Sequence, residues 1–178
     1  MTNLRHLTTE EIEKNLAKVL ESPNDNGVLE LIVCRPQEDA RVVLETGTLD
    51  PKNGLVGDCW LTYNDGAVEA QIAIMNSRII DLLAQGAERW KLAGDQLYID
   101  LNLTDENLPA GTRLAIGSAI LEVTKEPHNG CKKFVERFGL DAMKFVNSPV
   151  GKQYHLRGIY ARVVQSGTIR RGDAVKKI

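Results

Sequence analysis

The residues best suited to chemistry lie in one stretch, EPHNGCKKFVERFG, from Glu126 to Gly139. Cys131 follows Pro127, His128, Asn129 and Gly130, and Lys132 and Lys133 come directly after it. A thiolate is both a nucleophile and a soft metal ligand, so the chemistry open to Cys131 depends on how readily its thiol ionises. Pro127 and Gly130 interrupt regular structure, which predicts a helix that starts here with Cys131 in its first turn and Asn129 or Gly130 as cap. The unpaired amides of that turn, the two lysines and a protonated His128 would all favour the thiolate. A thiol of ordinary pKa, ~8.5, becomes half ionised at neutral pH after a shift of about 1.5 units, or about 2 kcal/mol. The competing expectation is burial. Cys131, Phe134, Val135 and Phe138 recur at helical spacing and form an apolar stripe, and free cysteine usually packs as a small hydrophobe. Both readings remain open at this level.

The other cysteines differ from Cys131. Cys34, inside LELIVCRP, reads as core, and Cys59 follows Asp58 in the glycine-containing loop NGLVGDCW, where Asp58 looks exposed. Three cysteines with no CxxC pair argue against a disulfide framework. His128 and Cys131 could supply two metal ligands but not the four of a structural zinc site, so no zinc is expected. A formal net charge of -2 predicts no general affinity for nucleic acid, and any anion site must be a local basic cluster. No apolar run reaches the ~20 residues that span a bilayer, and MTNLRHLTTEE lacks the apolar core of a signal peptide. No membrane association and a cytoplasmic location are therefore expected. GxGxxG, P-loop, GxSxG and HExxH patterns are missing, so no nucleotide motif is present.

The elements that must position these residues are mostly strands. With 26% charged and 43% hydrophobic residues over 178 positions, one globular domain is expected, spanning residues 1–178. Thr8 and Glu11 form a capping box ahead of Ile12, Leu16, Val19 and Leu20, which predicts a helix over about 8–22 that packs on the remainder. GVLELIVCRP reads as a buried strand and ARVVLETG as a second one. EAQIAIMNSRIIDLLAQG passes from strand to helix at Asn76 or Ser77 and ends at Gly86. DQLYIDLNL alternates with period two, and TRLAIGSAILEVT reads as a hairpin about Gly117-Ser118. Residues 131–147 are helical with a break near Gly139, and the tail reads as strand, Ser-Gly turn, strand. Short turns between most strands favour a mainly β, α+β chain built as a mixed or antiparallel barrel with inserted helices.

PHNGCKKFVERFG, FVNSPVG and LRGIYARVVQSGTIRRGD together resemble the MOSC family, named for the C-terminal domain of molybdenum-cofactor sulfurases, in its small stand-alone bacterial form. GLVGDCW and QIAIMNSRIIDLLA are similar to the family's first half and AGDQLYIDLNLTDENLPAGTRLAIG to its middle. The resemblance implies a β-barrel in which Cys131 carries sulfur as a persulfide or ligates the molybdenum of a pterin cofactor. Reduction of N-hydroxylated compounds is one activity found among such proteins. It further implies that His128 assists proton transfer or orients the thiolate. Lys132, Lys133, Arg137, Arg157 and Arg162 become candidates for the cofactor phosphate, together with Asp58, Asn129 and Asn147. Asn147 also reads as a plain helix cap. Arg157 and Arg162 lie five apart, so a regular strand would point them to opposite faces unless Gly158 marks a bulge. Relatives usually continue the Gly-Asp loop with arginine, where this chain has Cys59. The implied partner is an electron or sulfur donor protein. Two other readings stand beside this one: a non-catalytic barrel that binds an anion or partner, and a metal-free thiol reductase in which Cys59 resolves Cys131.

Overall fold

A computed structural model describes residues 4–63 and 65–178. The chain opens with α1 (Thr9–Val19), whose Thr8–Glu11 capping box forms in full. Five strands follow, β1 (Gly27–Cys34), β2 (Val42–Leu44), β3 (Thr46–Asp50), β4 (Gly54–Leu55) and β5 (Ile72–Asn76), with the short helix α2 (Trp60–Tyr63) before the last. Helix α3 (Ser77–Ala84) is capped by Asn76, whose side chain accepts from the amides of Arg78 and Ile79. A 3-10 segment (Ala87–Ala93) leads to β6 (Leu97–Asp100), and β7 (Arg113–Ile116) and β8 (Ala119–Val123) form the expected hairpin. Helices α4 (Lys132–Phe138), α5 (Leu140–Asn147) and α6 (Pro149–Gln153) precede β9 (Ile159–Gln165), β10 (Gly167–Arg170) and β11 (Ala174–Lys177).

Seven strands close into a mixed barrel in the order β11, β7, β8, β9, β5, β6, β1, with β1 returning to β11 and β2 extending β1 outside the ring. Only β5 and β6 run parallel, because α3 carries the chain across between them. Two expectations need correction. ARVVLETG divides into β2 and β3, and the tail forms three strands rather than two. β3 and β10 join β4 in a small sheet outside the ring, β10–β3–β4.

The two-residue period separates two cores. Leu29, Ile32, Ile74, Leu97 and Ile99 point into the barrel, where Leu49, Leu55 and Ile169 of the small sheet join them. Leu31, Val33, Met75 and Tyr98 point outward and are covered by Ile12, Ile80, Phe134, Phe138 and Phe145 of the helices. Strands β5 and β6 are therefore apolar on both faces. This helical cover carries Cys131, and the barrel wall beneath it supplies the groups that hold it.

Candidate functional site

Cys131 is the N-cap of α4 rather than a residue of its first turn, and it is exposed. Phe134 and Phe138 do face the core, but the apolar stripe begins after the cysteine, so the expectation of burial is corrected. The Cys131 carbonyl accepts from the amides of Phe134 and Val135, and its sulfur makes no capping bond. Behind it, Asn147 clamps Gly130 from both sides: the side-chain oxygen accepts from the Gly130 amide at 2.8 Å and the nitrogen donates to the Gly130 carbonyl at 3.1 Å. Asn147 is thus a lock on the cysteine loop, not a helix cap. Asn129 is exposed, and Lys132 is exposed and forms no ion pair among the described residues. Lys133 reaches back to Glu38 (3.1 Å) and Asp39 (2.9 Å).

His128 is buried, against the expectation of a protonated imidazole beside the thiol. Its side chain is only 6% exposed, and its Nδ1 lies 3.5 Å from Asp95 Oδ1. The ring packs against Tyr160 with centroids 4.3 Å apart. Gly158 makes this approach available: at φ +116°, a Cβ there would collide with the Ile74 carbonyl oxygen and come within 3.0 Å of His128 Nδ1. Burial, and then the cations Arg157 and Arg35, hold the imidazole well below its usual pKa. His128 is therefore neutral near pH 7 and adds no positive charge beside the thiol.

Arg157 is buried with it. It donates to Asp95 Oδ2 at 2.8 Å and to the Ala93 carbonyl at 3.1 Å, and its guanidinium lies 5.0 Å from the Phe134 ring centre. Asp95 is fully buried, and burial drives its carboxyl upward while Arg157 pulls it back. With an arginine at 2.8 Å the charged pair is the state that fits this geometry. Arg162 lies elsewhere. It is an exposed strand residue paired with Glu122 (2.6 Å) and Glu69 (3.3 Å), so the bulge that would have joined the two arginines does not do so.

The cationic ground that includes the expected Lys133 and Arg137 also draws on two residues the sequence did not single out, Arg35 and Arg41. Arg35 makes a two-pronged pair with Asp58, at 2.9 and 2.8 Å, and donates to the Gly94 carbonyl. The Asp58 side chain is fully buried, which corrects its exposed appearance. Arg137 donates to the Leu92 carbonyl at 2.7 Å and to Asp39 at 3.2 Å. Arg41 differs. It meets no carboxylate among the described residues, its Nε is buried without a partner, and burial together with Arg137 and Arg35 lowers its pKa. Arg35, Arg41, Cys59, Trp60, Tyr63 and Lys133 line a pocket of about 190 Å³ here. Four cations (Arg35, Arg41, Lys133, Arg137) meet three carboxylates (Glu38, Asp39, Asp58), which leaves Arg41 as the uncompensated charge.

Segment 92–95 connects the two halves, since Arg137, Arg157 and Arg35 take the successive carbonyls of Leu92, Ala93 and Gly94, and Asp95 takes Arg157 again. Gly94, at φ +92°, leaves room for Arg41: a Cβ would stand 3.3 Å from its guanidinium. Asp95, Arg35 and Arg41 had one local signal each. Asp95 is a charged residue two positions before a strand whose first three residues are buried, and the two arginines flank the turn after the first strand.

Comparison with known proteins bears on the family and the fold. The family model for the MOSC domain matches residues 61–176. YiiM from Geobacillus stearothermophilus superposes with a TM-score of 0.61 at 16% identity, covering 85% of this chain and 75% of the other. YuaD from Bacillus subtilis gives 0.59 at 16% identity, with 84% and 94% covered, and YiiM from Escherichia coli 0.57 at 18%, with 85% and 69% covered. No curated protein matches the chain. The structural likenesses show a shared fold, and the family match covers well over half of the sequence. The chain belongs to the MOSC domain family.

Proposed function

We propose that this MOSC domain serves molybdenum-cofactor chemistry through Cys131, as a persulfide sulfur carrier or as a single protein ligand to molybdenum. The observation that supports it most is an exposed thiol on a clamped loop whose next turn, at Lys133, forms the wall of a pocket with one unpaired arginine. The residues suit the group. Among the described residues no three His, Cys, Asp or Glu side chains gather as a metal site, so Cys131 would give one sulfur and the metal would arrive with its other ligands. An anionic tail would meet Arg41, with Arg35, Lys133 and Arg137 around it, and a planar guanidinium suits phosphate.

When bound, the cofactor would supply two-electron redox chemistry, which suits reduction of an N-hydroxylated compound to the amine and water. In the carrier role, a donor protein's persulfide gives its terminal sulfur to the Cys131 thiolate and leaves as a thiolate itself. The neutral His128 holds the loop and leaves the charge balance at the sulfur to the lysines. Asp58 works through Arg35, and Asn147 through Gly130, rather than touching the cofactor. A second reading draws on Cys59, which lines the same pocket: oxidation of Cys59 and Cys131 to a disulfide would release two electrons without metal.

Pterin and molybdenum analysis of protein made in a cofactor-producing host tests the proposal, with Arg41→Ala beside the wild type. Cofactor in the wild type and a marked loss in the variant is the expected result. Equal retention in both would remove the pocket from the account.

A further inference from the structure

We infer that Asp95 and Arg157 are positioning residues for the Cys131 thiol, a buried brace that holds the cysteine loop from both of its ends. The inference rests on the reading that Cys131 is the reacting thiol. On the N-terminal side the brace acts through His128, three residues before the cysteine, whose buried ring packs on Tyr160 and places Nδ1 3.5 Å from Asp95 Oδ1 without a hydrogen bond. On the C-terminal side it acts through Phe134, whose ring lies under the Arg157 guanidinium and whose amide donates to the Cys131 carbonyl at 3.0 Å. Both ends of the loop thus meet one ion pair, formed by residues that lie just ahead of β6 and β9. A ligand role for Arg157 conflicts with this geometry, because its side chain is only 8% exposed and both terminal nitrogens already serve Asp95 and Ala93, with only the buried Nε unused.

A buried pair suits the task physically. Its partners cannot drift without leaving a charge unpaired in a low-dielectric interior, so it defines one position where an exposed pair would allow many. The polar edge of His128 facing Asp95 and the ring of Phe134 facing Arg157 then inherit that position. The sulfur is carried between them at the surface, free to react but held in place.

The test is site-resolved alkylation by iodoacetamide of the full-length protein, read by peptide mass spectrometry over a range of pH. Cys59 acts as the internal reference and buried Cys34 as the reporter of unfolding. Arg157→Lys keeps the charge but loses the fork, and Asp95→Asn removes the carboxylate. Each is expected to change the Cys131 rate by about threefold to tenfold, and to move its pH profile, with Cys59 unchanged and inorganic phosphate binding retained. The double variant should do no more than the larger single one. An unchanged Cys131 profile in both single variants, or a loss of phosphate binding without a change at Cys131, would overturn the inference. If Cys34 becomes reactive in either, Phe134→Leu decides: it leaves the ion pair whole, and an unaltered Cys131 profile there overturns the inference equally. None of these readings needs bound cofactor. Protein that carries neither sulfur nor molybdenum but shows an Arg157-dependent thiol would end the functional proposal and leave the brace standing.

Discussion

Two sets of ion pairs flank Cys131, and they differ in almost every physical respect. Behind it, Asp95 and Arg157 are 0% and 8% exposed at their side chains, and their partners are a ring, a carbonyl and each other. In front, outside the buried Arg35–Asp58 pair, the second set has Lys133 and Arg137 meeting Glu38 and Asp39, whose side chains are 65% and 60% exposed. The first set carries a large desolvation cost and so tolerates one geometry. The second is screened by water and can exchange partners cheaply. The candidate site thus joins a buried, fixed back to a front that is partly open to water.

The largest expected effect comes from breaking the back. Arg157→Leu leaves Asp95 uncompensated and should cost about 3–5 kcal/mol in urea denaturation, the usual result of removing one partner of a buried pair. A loss well under this range would mean that the pair is hydrated and no brace. Asn147→Ala comes next. It strands the Gly130 amide and carbonyl at the loop and should cost about 1–3 kcal/mol.

The pH dependence of stability sharpens the contrast further. His128 is held well below its unfolded pKa by burial and by Arg157 and Arg35, with Asp95 and Tyr160 against its ring. The unfolded chain therefore takes up the proton first. The contribution is fully present above the unfolded value of about 6.5 and is lost as pH falls below it, by about 1.4 kcal/mol for each unit of separation. His128→Gln should flatten the slope between neutral and mildly acid pH, and an unchanged slope would place its source elsewhere. The smallest effect belongs to the front: Lys133→Ala should leave the denaturation midpoint unmoved while weakening inorganic phosphate binding several-fold in titration calorimetry. A stability loss matching that of Arg157→Leu would erase the distinction between the two sets.

The local elements were legible because their signals are local. The Thr8–Glu11 box, the Asn76 cap, the hairpin at Gly117-Ser118 and the break at Gly139 each depend on residues a few positions apart. The interruption of regular structure before Cys131 was also visible, since proline and glycine mark it in one run. The exposure of Cys131 was not. The stripe of Phe134 and Phe138 continues back to position 131 on paper, but the helix starts only at Lys132. The site's charges were the least legible part, because Asp95 meets Arg157 across 62 positions and Arg35 meets Asp58 across 23. No spacing rule connects such partners, and only barrel closure brings them together. Arg157 and Arg162 part, but not by strand alternation, since β9 begins only at Ile159 and Arg157 lies in the turn before it.

The central claim, that Cys131 holds sulfur or molybdenum, is tested most directly by intact mass and molybdenum content of freshly purified protein from a cofactor-producing host, wild type beside Cys131→Ser. The account predicts either one additional sulfur on the wild type, removed by a thiol reductant, or bound molybdenum, and neither in the variant. A wild type with no added sulfur and no molybdenum, or a Cys131→Ser variant that retains them in full, would contradict it.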